Sequence, residues 1–486
     1  MKPGKTSGAL LIAIDAGTTS VRVVCYDSKL RVIDKQQQEF NQYFPEPGLV
    51  EHDAEEIWNV TKKLLDKVLR GRANQVRGIG ITNQRETVVL WNKKTGKPTH
   101  KAIVWQDRRT TQACKRLKRR GLSSLIQRST GLVLDAYFSA TKIRWLLDET
   151  KQPAKDLITG TIDSWLIWNL TGGSVHATDY TNASRTLLYN IDSKQWDPKL
   201  LKIFRVPAFL LPEVKNSTDD FGTYRGIPIA GVAGDQQSAM CGQAAFYAGQ
   251  GKNTYGTGCF MLLNTGYKHV RSRQGLITTL TPGSDGKPRY ALEGSVFIGG
   301  ALIQWLRDKL GIIQHSGDVG KIAAGVSSAH GVYIVPAFAG LGAPYWNQEA
   351  RGVITGLTRG ADTQHIIRAA EEAIAYQVYD LAKAMQTDSG TKFKQLRVDG
   401  GAVHDDFLMQ YQADILNMSI TRPTDVETTV RGAAMLAGLQ VGMWKSLSAA
   451  ANLQMLDRTF KPSMTNSVRQ AALSGWAKAL RQAQTK

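Results

Sequence analysis

An apolar strand from Leu10 to Ile14 runs into the turn Asp15-Ala16-Gly17-Thr18-Thr19-Ser20 and out along a second strand, Val21 to Tyr26. About half a chain later the pattern returns. Asn253-Thr254-Tyr255-Gly256-Thr257-Gly258 feeds the apolar strand Cys259 to Leu263. Two Gly/Thr hairpins so far apart constrain the fold more than any other feature, because they point to a duplicated domain. The expected division is 1–243 and 244–486, in keeping with domains of roughly 200–250 residues for a chain too long for one core. Strand-like Gly78 to Thr82, Ala102 to Trp105 and Gly231 to Ala233 alternate with helical stretches such as Glu55 to Leu69. Later, Leu396 to Asp399 is a strand ending in Gly400 and Gly401. Alternation of this kind implies an α/β layer architecture.

Charge and cysteine use exclude several classes. The net charge is +20, yet the densest basic run, Lys115 to Arg120, closes an amphipathic helix just before Gly121. Cations suit a helix C-terminus and glycine suits its cap, so this run reads as a solvated helix face. No nucleic-acid module accompanies it. Cys25, Cys114, Cys241 and Cys259 are scattered without zinc or disulfide-scaffold spacing. The N-terminus is apolar only from Ala9 to Ile14, too short for an export signal, and nothing approaches the roughly 18 apolar residues of a membrane span. The expectation is a cytoplasmic protein with no membrane and no nucleic-acid partner.

Three Gly-rich elements could hold a nucleotide. In Asp15 to Ser20, glycine lets backbone N–H groups approach a phosphate, three hydroxyls add donors, and Asp15 could hold Mg²⁺ through water. Gly256-Thr257-Gly258 could clasp the same phosphates from the other domain. Asp399-Gly400-Gly401-Ala402 leaves bare backbone for a flat base or ribose. Each has an ordinary reading as a plain turn, but three in this order are much harder to obtain by chance. Polar groups at strand ends suit a small polyol: Asn83-Gln84-Arg85-Glu86, Trp105 with Gln106 to Arg109, and Gly234-Asp235-Gln236-Gln237. Arg85 with Glu86 could equally be a surface ion pair, and Trp105 could simply fill the core.

Together these residues resemble the glycerol kinases within the FGGY carbohydrate kinase family, from about Leu11 to Gly442. The most specific strings are GITNQRET, AIVWQDRR, TGLVLDAYFSATK, TDYTNASRT, AGDQQSA, KNTYGTGCF, GLGAPYW, TGLTRG and RVDGGAV. The resemblance implies the two-domain fold of actin, hexokinase and the heat-shock-chaperone ATPases, with an RNase H-like core in each domain and the active site in the cleft between them. It also implies ATP- and Mg²⁺-dependent phosphorylation of glycerol to sn-glycerol 3-phosphate, in a homo-oligomer of two or four copies. By the family pattern Asp235 is the general base. Arg85, Glu86, Tyr137 and Gln236 hydrogen-bond the polyol, and Trp105 and Phe260 line its carbon edge. Thr18, Thr19, Ser20 and Arg22 match the first phosphate motif and Thr257 the second. Gly300, Gln304, Gly401 and Asp405 lie by the nucleotide, and Asp15 is the Mg²⁺-side carboxylate.

The sequence departs from that pattern at four places. Ala16 replaces the usual Gln, Ala136 the usual Pro, Asp405 the usual nucleotide-contacting Asn, and Glu371 a usually apolar helix position. The loop Phe221 to Gly226 is short for a fructose 1,6-bisphosphate site, and Pro462 to Gly475 lacks an acidic zinc-ligand pattern, so neither form of control is expected. Three alternatives stand beside this reading: another sugar kinase of the family, a non-catalytic ATPase or actin-like structural protein, and a nucleic-acid binder. The first should lack Arg85-Glu86 and Trp105, the second needs no polyol set, and the third shows no module.

Overall fold

The fold is taken from a computed structural model, which describes residues 8–347 and 349–484. The first residues of the N-terminal reading, Met1 to Lys5, lie outside them. A six-stranded sheet occupies the first half. Its strands Leu10–Ala16, Ser20–Asp27 and Val32–Glu39 form an antiparallel meander, and Leu10–Ala16 then pairs in parallel with Val76–Asn83, which pairs in parallel with Ile227–Gly234. A seven-stranded sheet in the second half repeats the plan. Ile277–Pro282, Pro288–Val296, Cys259–Gly266 and Gln250–Tyr255 run antiparallel, and Gln250–Tyr255 then pairs in parallel with Gln395–Asp399 and that strand with Ile420–Pro423.

Period-two patterning sends alternate residues of the first strand to opposite layers. Leu10, Ile12 and Ile14 pack with Ile57, Leu64 and Leu65 of the helix Ala54–Leu69, which Asp53 caps through the Glu55 and Glu56 amides. Leu11 and Ala13 face the other way, against Val430, Ala433, Ala434 and Ala437. Those four belong to the helix Thr428–Gln440, which follows the second sheet in sequence but packs on the first. Glycines allow the approach. A methyl on Gly80 would meet the Ala433 carbonyl oxygen at 2.1 Å, and one on Gly231 the Ala437 nitrogen at 2.5 Å. The same helix crosses Asp235–Gly242, where Gly432 faces the Ser238 carbonyl and Gly242 the Thr428 carbonyl, at 1.9 and 2.0 Å from their would-be methyls.

The second core gathers Met261, Leu263 and Leu292 of its sheet under the long helix Thr363–Ser389, with Trp476 and Leu480 of the C-terminal helix Asn466–Gln484. All four cysteines are buried and unpaired. The basic run does close a helix, Thr111–Arg119, ahead of Gly121 at φ +73°, and its cations are exposed. Among the described residues no helix is long and apolar enough to cross a membrane.

Candidate active site

The three parallel strands of the first sheet end side by side. Asp15 is in register with Thr82, Ala16 with Asn83, and Asn83 with Gly234, so Asp15, the Gln84-Arg85-Glu86 segment and Asp235 leave one sheet edge together. Carboxyl ends of parallel strands are where α/β folds place their ligands. Gln84 fixes the corner by donating its side-chain amide to the Gly17 carbonyl at 2.9 Å and its backbone N–H to the Ala16 carbonyl at 2.8 Å. Glu86 holds φ at +62°, a conformation a β-carbon disfavours, and Ser139 Oγ donates to its carbonyl at 3.0 Å.

Arg85 is buried, and Asp235 beside it keeps 32% of its side-chain surface exposed. Arg85 Nε lies 3.0 Å from Asp235 Oδ1, which also accepts the Gln236 N–H at 2.6 Å. Asp235 Oδ2 has no protein partner among the described residues. Gly234 makes the contact possible, because a methyl there would meet Arg85 Cγ at 2.6 Å. The Trp105 ring stands edge-on to Tyr137, with centroids 5.4 Å apart, and its Nε1 donates to Thr18 Oγ1 at 3.1 Å. Lys142, buried behind the pair, donates to the Tyr137 carbonyl at 2.7 Å, and burial lowers its ammonium to about 7. Trp105, Tyr137, Gln236 and Phe260 are all half-buried.

The second sheet meets this edge through charge. Glu293, on Pro288–Val296, takes a fork of bonds from Arg85, Nη1 to Oε2 at 2.7 Å and Nη2 to Oε1 at 2.9 Å. Arg185 adds Nη2 to Oε1 at 3.1 Å and Nη1 to Oε2 at 3.3 Å, and sends its Nε to Glu86 at 2.5 Å. Burial works to raise the Glu293 carboxyl, but Arg185 and then Arg85 overcome it and hold the group at about 2. Glu86 moves the opposite way: burial raises it despite the same two arginines. The difference is geometric, since Glu86 has one close contact with Arg185 and only a 3.9 Å approach from Arg85. Lys252, fully buried, donates to Gln236 Oε1 and, at 2.7 Å, to Thr254 Oγ1. Burial lowers its ammonium, with Asp399, Asp235 and Glu293 pulling against that.

The Gly-rich elements of the second half interlock. Gly299 and Ala301 donate backbone N–H groups to the Thr257 carbonyl at 2.8 and 3.1 Å, and Gly300 to the Gly256 carbonyl at 2.9 Å. Gly300 opens the helix Gly300–Asp308, from which Gln304 points out exposed. Gly400, at φ +93°, lies against Tyr255, whose carbonyl oxygen a methyl would meet at 2.5 Å. Gly401 is exposed, with open space where a side chain would stand. Thr257 and Gly401 thus border one surface at the ends of neighbouring strands.

Two expected nucleotide contacts are engaged otherwise. Arg22 pairs with Glu427, and its Nε donates to Gln37 at 3.1 Å; Gln37 in turn donates to Ser20 Oγ. Asp405 caps the helix Asp406–Leu416 by accepting the Leu408 N–H at 3.0 Å, and Gly320 packs against the same carboxylate. Glu371 is buried beside it, and burial, reinforced by the Asp405 charge, raises its carboxyl. Thr19 is exposed on its turn. Burial, opposed by Arg22 and reinforced by Asp235 and Glu427, lifts Asp15 to about 7.

A family model, the N-terminal domain of the FGGY family of carbohydrate kinases, matches residues 10–242, and the C-terminal domain of that family matches 251–441. The chain belongs to the FGGY family of carbohydrate kinases. Among relatives of this FGGY kinase, the glycerol kinase of Brevibacillus brevis is 52% identical over 484 residues, 97% of each chain. That of Vibrio campbellii is 52% identical over 495 residues, 99% of this chain and 98% of its own. The crystal structure of Plasmodium falciparum glycerol kinase with ADP superposes with a TM-score of 0.94 at 38% identity, covering 99% of both chains. A ligand-bound xylulose kinase from Lactobacillus acidophilus shares the fold, with a TM-score of 0.89 at 22% identity over 98% of both.

Sequence reasoning had not singled out Arg185, Glu293, Lys252 or Lys142. Arg185 and Lys252 sit inside the strings TNASRT and KNTYGTGCF, and Glu293 is a lone carboxylate within the buried strand Tyr290-Ala-Leu-Glu-Gly294. A charge in such a run needs a partner, and that was the available signal.

Proposed function

We propose that this FGGY kinase is a glycerol kinase, moving the γ-phosphoryl group of ATP to a terminal hydroxyl of glycerol to give sn-glycerol 3-phosphate. The observation that carries the reading is the contact of Arg85 with Asp235 at a corner shared with Glu86, Trp105 and Tyr137. Asp235 is the general base. Its Oδ1 is fixed by Arg85 and Gln236, which leaves Oδ2 to take the proton of the reacting hydroxyl. Glu86, Arg85, Tyr137 and Gln236 hold the remaining hydroxyls, while Trp105 and Phe260 cover the carbon edge. Because Lys252 occupies the Gln236 carbonyl, Gln236 presents its NH₂ as a donor.

Thr18, Thr19 and Ser20 approach the phosphates from the first half. Thr257 and the helix start at Gly300 approach them from the second, and Gly401 borders the adenosine. Arg22 reaches the phosphates only by leaving Glu427, and Asp405 acts on the nucleotide only through the helix it caps. Asp15 fits a divalent cation held through water: it is a half-buried carboxylate at a strand end, raised first by burial and then by the like charges of Asp235 and Glu427. Mg²⁺ bound there would offset phosphate charge. Phosphoryl transfer needs placement and charge neutralisation more than covalent chemistry, and this set supplies both. We take 1–243 and 244–486 as the functional halves, with the helix Thr428–Gln440 lent to the first, in a cytoplasmic enzyme.

The test is an ADP-release assay over glycerol, xylulose, ribulose and other polyols. Turnover with glycerol at least tenfold above the ketoses is expected; activity confined to xylulose or ribulose would overturn the substrate.

A further inference from the structure

Arg185 and Glu293 are buried, and their bonds decide which donors and acceptors of Arg85 and Glu86 stay free. Arg85 carries five N–H donors. Nε lies against Asp235, Nη1 serves Glu293 and Gln237 (3.2 Å), and Nη2 serves Glu293. One Nη2–H is left. Glu86 is similarly divided, with Oε1 taken by Arg185 and Oε2 without a partner among the described residues.

We propose that Glu293 and Arg185 are positioning residues for the acceptor alcohol: Glu293 fixes the Arg85 fork so that one donor faces the pocket, and Arg185 fixes Glu86 so that one acceptor does. The inference rests on the functional reading above. Its physical basis is the cost of a buried guanidinium without partners. Without the Glu293 carboxylate, the freed Arg85 donors turn to the nearest anions, Asp235 and Glu86. Those are the acceptors a hydroxyl needs. Glu293 comes from the second sheet, and Arg85, Glu86 and Arg185 come from the first half of the chain. The hydroxyl-reading geometry therefore exists only while the two halves are joined at this point.

A site built to bind a hydroxyl rejects an analogue lacking it by factors reaching about 10⁴, because its own groups go unpaired. The experiment compares kcat/KM for glycerol, propane-1,2-diol and propane-1,3-diol in the parent enzyme, Glu293→Gln and Arg185→Gln, with melting temperatures and KM for ATP alongside. The expected result for Glu293→Gln is a fall of about tenfold or more in the preference for glycerol over the diols. KM for glycerol should rise while KM for ATP stays within about twofold. General structural damage would lower all three alcohols together and leave the ratio alone. A parent-like ratio in a folded Glu293→Gln overturns the proposal. If that variant does not fold, Arg185→Gln, which keeps the Arg85–Glu293 fork, decides by the same ratio. A parent enzyme inactive on glycerol would sink the functional reading instead, and the ratio would then be measured on the polyol it accepts and its deoxy analogues.

Discussion

The two sheets share one strand plan but finish their parallel strands differently. In the first, the strand ends deliver charged side chains: Arg85, Glu86 and Asp235 into a network of ion pairs, and Asp15 into the field of Arg22, Asp235 and Glu427. In the second, they deliver glycine: Gly256 and Gly258 after one strand, Gly400 and Gly401 after the next. A small alcohol has to be read by directional donors and acceptors. A triphosphate and a flat base are better met by bare backbone that comes close. One strand plan is used twice, and on the proposed function the residues at the two rims divide the labour.

The strongest way to break this comparison is at Asp235. Asp235→Asn keeps the shape but cannot take a proton, so turnover should fall at least 10²-fold, about 3 kcal/mol of barrier, with glycerol still bound. Near-normal kcat in a single-turnover assay would remove side-chain chemistry from the first rim. Gly400→Ala probes the second rim's frame. At φ +93° with the Tyr255 oxygen 2.5 Å from the new methyl, it should cost about 1–3 kcal/mol in a denaturation experiment. Unchanged stability would show that the backbone there yields.

Acid sharpens the contrast. Glu293 sits at about 2 in the fold against an ordinary 4.5, so its contribution to stability is complete above about pH 4.5 and is lost as pH falls toward 2. The melting-temperature gap between parent and Glu293→Gln should therefore narrow between pH 5 and pH 3. A constant gap would mean the carboxylate is not anchored by its arginines. The smallest effect belongs to Gly401→Ala. Its methyl meets no protein atom within 4 Å, so stability should hold while KM for ATP rises about threefold, under 1 kcal/mol of binding. Equal KM values would place the nucleotide elsewhere.

Local patterns were readable from the chain alone. The paired hairpins, the strands expected to end at Ile14, Thr82, Ala233 and Asp399, which end at Ala16, Asn83, Gly234 and Asp399, and the helix closing within the basic run all follow from apolar period and turn chemistry. Long-range partnership was not. Glu293 and Arg85 stand 208 positions apart, and nothing near either names the other. Asp405 shows a second limit of local reading. The family pattern puts a nucleotide contact at this position, and the structure adds that its carboxylate caps Asp406–Leu416, a role that an acidic residue ahead of a helix also offers from sequence. Arg22 matches the first phosphate motif of the family, and its ion pair with Glu427, 405 positions away, was not legible beside it.

The helix Thr428–Gln440 has a consequence for how such a chain can be made. Residues 1–243 expressed alone would expose Leu11, Ala13, Ala230 and Ala233, and at Gly80 and Gly231 no side chain exists to shield the backbone. The halves are therefore not separable goods: whichever piece is synthesised first waits, half-dressed, for a segment the ribosome delivers nearly two hundred residues later. Late arrival of one helix is what seals the earlier half.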